Sequence, residues 1–189
     1  MLEIGAAAGV PSIVSAICGA RVTVMTDYPD PDLVENMRFN TELAETDGLW
    51  VEGYKWGDSP ELLLSHVANS NGTGKGVEDK NEEDGKFDTL IMADVVYSHR
   101  EHPNLIKTMH ATLKRSPESV ALVIFTPYEP WLLPKTEQFF PLAEENGFTV
   151  TKVFETMMDE VLFENDPGVC CSFTLCPVSY HANETRMNG

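Results

Sequence analysis

Short β-branched or apolar runs alternate with longer segments of helical period through most of the chain, and few folds accept that order. A helix between two strands returns the chain to the end of the sheet it left, so successive strands lie parallel. Arg21–Asp27 is a β-branched run between Gly19 and Pro29. Pro31–Glu45 repeats Leu33, Met37, Asn40 and Ala44 at helical spacing, with Asp30 placed to cap it. Leu49–Tyr54 reads as the next strand, and Ser59-Pro60-Glu61 opens a short helix through Val67. Phe87–Ala93 is a further strand, followed by a helix over Arg100–Arg115 with Leu105, Met109 and Leu113 on one face. Ser119–Thr126 (SVALVIFT) is apolar almost throughout, as a central strand covered on both faces must be. Trp131–Asn146 reads as one helix ending at Gly147, and Phe148–Phe154 as another strand. The pattern predicts an α/β domain with a doubly wound, mostly parallel sheet.

Ala68–Lys86 interrupts the alternation with a polar, Gly- and Asn-rich stretch that has no apolar period. The pattern resumes after it, so it reads as a solvated loop insertion within one domain. At the front, Leu2-Glu3-Ile4-Gly5 looks like the last residues of a buried first strand. So short a strand in mid-sheet leaves neighbouring backbone groups unpaired, and the expectation is a sheet truncated at its first strand.

A length of 189 residues fits one core, and no apolar run approaches the ~20 residues of a membrane span. Met1–Gly5 lacks the basic and apolar regions of a secretory signal, and Cys18, Cys170, Cys171 and Cys176 do not form a disulfide framework. The expected setting is the reducing cytoplasm, without a membrane partner. A net charge of −17 repels phosphates and excludes nucleic acid as a partner, whereas a basic protein suits it. The Cys170-Cys171…Cys176…His181 group lacks the two-residue gap of structural zinc sites, so no metal is expected.

Four strand ends carry chemistry. Glu3-Ile4-Gly5-Ala6-Ala7-Ala8-Gly9 leads into a helix at Pro11-Ser12, and small residues there let a ligand approach the backbone. Asp27 ends the next strand, where a carboxylate accepts both hydroxyls of a ribose, or simply caps a turn. Tyr54-Lys55-Trp56-Gly57-Asp58 follows the third strand, and the Trp56 indole either covers a base or belongs to the core. Ala93, Asp94, Tyr97 and His99 follow the fourth, with Ala93 leaving room for a ligand and Asp94 and Tyr97 offering an acceptor and a donor. Thr126-Pro127-Tyr128-Glu129-Pro130-Trp131 stiffens a loop after the fifth. Together they describe a nucleoside-binding rim. A nicotinamide dinucleotide site shares this geometry. Ala7 in place of the second glycine of that fingerprint, and the acidic Glu3, disfavour it.

The segments LEIGAAAGVPS, VMTDYPDPDLVENMRFN, GYKWGD, ADVVYSHREH and FTPYEPWLLPK resemble the fungal nicotinamide N-methyltransferase-like family of class I methyltransferases. The resemblance runs from Leu2 to about Gly168, with TDYPDPDLVENM its most distinctive part. Characterised members of that family methylate the N-terminus and adjacent lysine of translation elongation factor 1-alpha. The resemblance implies S-adenosylmethionine as cofactor. It implies that Gly5, Ala6 and Ala7 meet its methionine and ribose, Asp27 its ribose, Trp56 its adenine and Ala93 its flank. It implies Asp94 and Tyr97 near the transferred methyl. Residues 1–168 then form the methyltransferase domain. Residues 169–189 form an atypical tail, since VCCSFTLCPVSYHANETRMNG does not resemble the family's last strand. A tryptophan-containing segment that precedes the first strand in the family is not matched. A small-molecule N-methyltransferase of the nicotinamide type and an inactive binding domain are the alternative expectations.

Overall fold

The computed structural model describes residues 1–70, 82–127, 129–157 and 172–180. Its strands are β1 (Leu2–Ile4), β2 (Thr23–Asp27), β3 (Leu49–Gly53), β4 (Thr89–Ala93), β5 (Val120–Phe125), β6 (Phe148–Val150), β7 (Phe154–Met157) and β8 (Ser172–Tyr180). Its helices are α1 (Val10–Ile17), α2 (Pro31–Ala44), α3 (Glu61–Ser70), α4 (His102–Thr112), α5 (Leu133–Thr136) and α6 (Phe139–Glu145).

The strands join one sheet in the order β3-β2-β1-β4-β5-β8-β6, with β7 also on β8. β1 to β5 are parallel, and β8 runs antiparallel to β5, β6 and β7. β6 and β7 occupy one edge of β8, and the Thr151 and Val153 amides donate to Pro177 and Leu175 carbonyls between them. They act as a single edge strand with a short interruption. The chain winds outward from β1 to β3, then crosses to β4 and winds the other way. The strand order therefore reverses between β1 and β4, and the crevice beyond the carboxyl ends of those strands is where such sheets bind ligands.

Apolar packing explains the sheet's position. β1 is buried along its length, and Leu90, Met92, Ala121 and Val123 are also fully enclosed. Leu105, Met109 and Leu113 cover one face, as their spacing predicts. Met37 seals the other face with Met25 and Ala6. The Asp30 carboxylate accepts from the Asp32 amide at 3.0 Å and caps α2 as expected.

Four differences from the sequence reading have local causes. The helix expected over Trp131–Asn146 is divided into a 3-10 turn (Pro130–Leu132), α5 and α6. Pro141 has no amide to donate back to Glu137, so an unbroken helix would lose a bond there. The strand expected from Phe87 begins at Thr89, because Phe87 pairs only as an isolated bridge with Leu113. The helix expected to end at Val67 runs on to Ser70, whose hydroxyl donates to the Val67 carbonyl at 2.9 Å, and Glu82–Gly85 form a 3-10 turn. The polar loop is shorter than 68–86 by those residues, and its 71–81 lie outside the described residues. The stretch set apart in the sequence as a tail supplies β8, with Cys176 and Val178 buried where β8 meets β5. Its alternation of half-buried and buried residues from Leu175 to Ser179 is that of a strand. Cys170, Cys171 and His181, weighed above as metal ligands, lie outside the described residues, as does Tyr128. No helix among the described residues is long and apolar enough to cross a membrane.

Candidate functional site

The bend after β1 is built by positions that side chains disfavour. Gly5 has φ +71°, and a Cβ there would sit 2.5 Å from Val95 Cγ1 and 3.6 Å from the Trp56 ring. Ala7 follows at φ +49°, a left-handed conformation in a residue other than glycine. Its amide donates to Asp27 Oδ2 at 2.7 Å, and the Tyr28 amide donates to Asp27 Oδ1 at 2.7 Å. One amide on each oxygen fixes the carboxylate plane and leaves further lone pairs for a ligand. Asp27 is thus a brace between two strand ends, while the helix cap is Asp30.

Glu3 has a role that the sequence reading did not assign. It is buried, and its Oε2 accepts from the Ser12 amide at 2.9 Å and from the Ser12 hydroxyl. Ser12 lies in the first turn of α1, whose N-cap Gly9 offers no side chain. The sheet therefore supplies the acid that caps the helix. Burial pushes the Glu3 carboxyl up, against the lowering effect of the Ser12 bonds. A dinucleotide pyrophosphate placed at this helix end would face a carboxylate already in the anion position. The polar Ser12 in the first turn of an apolar helix was the available signal.

Two hollows open along the carboxyl rim. The first, of about 330 Å³, is lined by Asp27, Tyr28, Tyr54, Trp56, Tyr97 and Glu101, with Lys55 and Ser98 beside them. The second, of about 170 Å³, has Asp94, Glu129 and His99 among the mostly apolar Phe125, Pro127 and Leu132. Tyr97 lines both, standing 69% exposed between them. Asp94 has φ +50°, and its Oδ1 accepts from the Thr126 amide at 2.8 Å, tying the end of β4 to that of β5. His99 Nε2 lies 3.0 Å from the Thr136 hydroxyl, and both line the second hollow. Behind them His102 is buried, which lowers its pKa, and its Nε2 meets the Val96 carbonyl at 2.7 Å.

Of the residues singled out in the sequence, Asp27 and Trp56 line the first hollow; Gly5 lies against the Trp56 ring and Ala7 holds Asp27, but neither is in the lining. Tyr97 lines the first hollow as well as the second, and Asp94 lines the second. The Ala6 side chain turns into the core against Met25 and Met37, while its amide donates to Thr26 O at 2.9 Å. Ala93 ends β4 beside Ile124 and is in the lining of neither hollow.

No protein-family model matches the chain. It is similar to a protein N-terminal and lysine N-methyltransferase of Aspergillus fumigatus, 61% identical over 173 residues, covering 89% of this chain and 62% of that protein. A protein of the same name from Emericella nidulans is 63% identical over 175 residues, covering 89% of this chain and 63% of its own length. The chain thus spans less than two thirds of the relatives it matches. Among solved structures, a SAM-dependent methyltransferase from Aquifex aeolicus superimposes with a TM-score of 0.58 at 13% identity, over 93% of this chain and 80% of the other. Pyrococcus horikoshii TYW2, in complex with MeSAdo, gives 0.53 at 17% identity, over 94% and 56%. The fold is that of the class I methyltransferases.

Proposed function

We propose that this chain carries the catalytic core of an S-adenosylmethionine-dependent protein N-methyltransferase acting on the N-terminal amine and adjacent lysine of elongation factor 1-alpha. The observation that carries the reading is the braced Asp27 carboxylate beside Trp56, in a hollow that meets a second one at Tyr97. The names of the Aspergillus and Emericella relatives support the acceptor class.

The residues fit an adenosyl sulfonium. Asp27 presents an acid to a ribose diol, Trp56 an indole to a flat base, and the Gly5–Ala7 bend allows close approach. Glu3 at the head of α1 disfavours a pyrophosphate and tolerates a cationic ligand. When bound, S-adenosylmethionine supplies a methyl group already activated by its positive sulfur. The chain's own work is then alignment and exclusion of water. Tyr97 stands where the two hollows meet and sets the approach of the acceptor nitrogen. The acceptor must arrive as a neutral amine. An α-amino group near ~8 is partly neutral at physiological pH, and a lysine near ~10.4 needs more help. Asp94, Glu129 and His99 face the second hollow and receive or orient that proton.

Incubation with labelled S-adenosylmethionine and a free N-terminal peptide of the elongation factor tests the reading. Label is expected in that peptide, reduced when its terminus is acetylated, and absent from nicotinamide. Transfer to nicotinamide alone would replace the reading with a small-molecule enzyme. Binding of S-adenosylhomocysteine without any transfer would leave a binding domain.

A further inference from the structure

Trp56 sits in a loop without helix or strand, so the first hollow is only as well formed as whatever holds residues 54–58 in place. The holding groups come from α4. The Gly57 amide donates to Thr108 Oγ1 at 2.9 Å. The Tyr54 hydroxyl donates to the Asp58 carbonyl at 3.1 Å, and the Thr108 and Tyr54 oxygens are 3.3 Å apart. With the single Tyr54 proton committed to Asp58, the Thr108 hydroxyl donates to Tyr54, and every donor in this circuit is used. Lys107 Nζ adds a bond to the Gly57 carbonyl. The loop also rests directly on the helix, since a Cβ on Gly57 would lie 2.7 Å from Asn104 Oδ1. Thr108 is fully buried, and it lies outside the lining of the hollow.

We infer that Thr108 is a positioning residue. Its hydroxyl holds the Tyr54–Asp58 loop where Trp56 closes the adenosyl hollow, so cofactor affinity depends on a group that does not line the site. The inference rests on the proposed reading of that hollow. A merely structural threonine would affect melting and leave affinity alone. A positioning threonine affects affinity through Trp56, and serine, which keeps the hydroxyl, substitutes for it.

Calorimetric titration with S-adenosylhomocysteine separates these roles. Thr108→Val leaves the Gly57 amide without its partner and is expected to weaken binding about tenfold, with Thr108→Ser within about twofold of the wild type. Trp56→Ala is expected to weaken binding by itself, and adding Thr108→Val to it should bring little further loss. Should Thr108→Val fail to fold, Lys107→Met removes a loop bond from the exposed side of α4, with a loss of about threefold expected. Wild-type affinity in Thr108→Val, or in Lys107→Met where that variant takes its place, overturns the inference. So does a Thr108→Val loss of full size in the Trp56→Ala background. Wild-type affinity in Trp56→Ala would instead remove the adenosyl reading of the hollow, and the inference with it.

Discussion

The Ala7 amide donates to Asp27 Oδ2 at 2.7 Å, fastening the bend after β1 to the end of β2. The Tyr28 amide holds the other oxygen, so the carboxylate is oriented before any ligand arrives. A ribose diol meeting it requires no reorganisation of the acid, and such preorganisation is a large part of affinity.

Replacing Asp27 by alanine is expected to weaken S-adenosylhomocysteine binding by more than about tenfold, equivalent to over ~1.4 kcal/mol. Calorimetry measures it directly. Unchanged affinity would remove Asp27 from the site.

Gly5→Ala places a methyl 2.5 Å from Val95 Cγ1 at φ +71°. We expect a loss of about 1–3 kcal/mol of stability and of cofactor affinity together. Trimming the neighbour in Gly5→Ala/Val95→Ala relieves the clash but not the backbone strain, so thermal melts should show only partial recovery. Full recovery would mean that the bend tolerates side chains.

Burial raises the Glu3 carboxyl, so the native chain binds that proton more tightly than the unfolded one. The group's contribution is complete below the ordinary glutamate range and falls as pH rises through the raised value. Glu3→Gln does not titrate. The stability of wild type minus that of Glu3→Gln should therefore shrink as pH rises above the ordinary glutamate range in denaturant titrations. A difference that grows with pH would contradict the burial argument.

A net charge of −17 should steer a basic protein substrate. The KM for such a substrate is expected to rise severalfold between about 50 and about 300 mM salt, while that for a short neutral peptide changes little. Equal salt responses would remove steering from the account.

The elements most legible in the sequence were those set by apolar period. Leu105, Met109 and Leu113 lie on the buried face of α4 and its end, and Val120–Phe125 of the SVALVIFT run became β5, an interior strand between β4 and β8. The bend at Gly5 and the acid at Asp27 were legible too, because the end of a parallel strand has a fixed place on the rim. Long-range polar contacts were not. Nothing local tells that Glu3 caps α1 through Ser12, nor that Thr108 reaches a loop 51 residues away. A threonine between Leu105 and Thr112 on a buried face was the one available hint. The divided helix after β5 was hidden because Pro134 and Pro141 interrupt an otherwise helical period, and β8 was hidden because its stretch does not resemble the family's last strand and was set apart as a tail.

A crystal structure with S-adenosylhomocysteine bound tests the central claim most directly. The account predicts adenine against Trp56, both ribose hydroxyls on Asp27, and the sulfur facing the hollow of Asp94 and Glu129 beside Tyr97. A nucleoside seated elsewhere, with Asp27 bonded only to Ala7 and Tyr28, would contradict it.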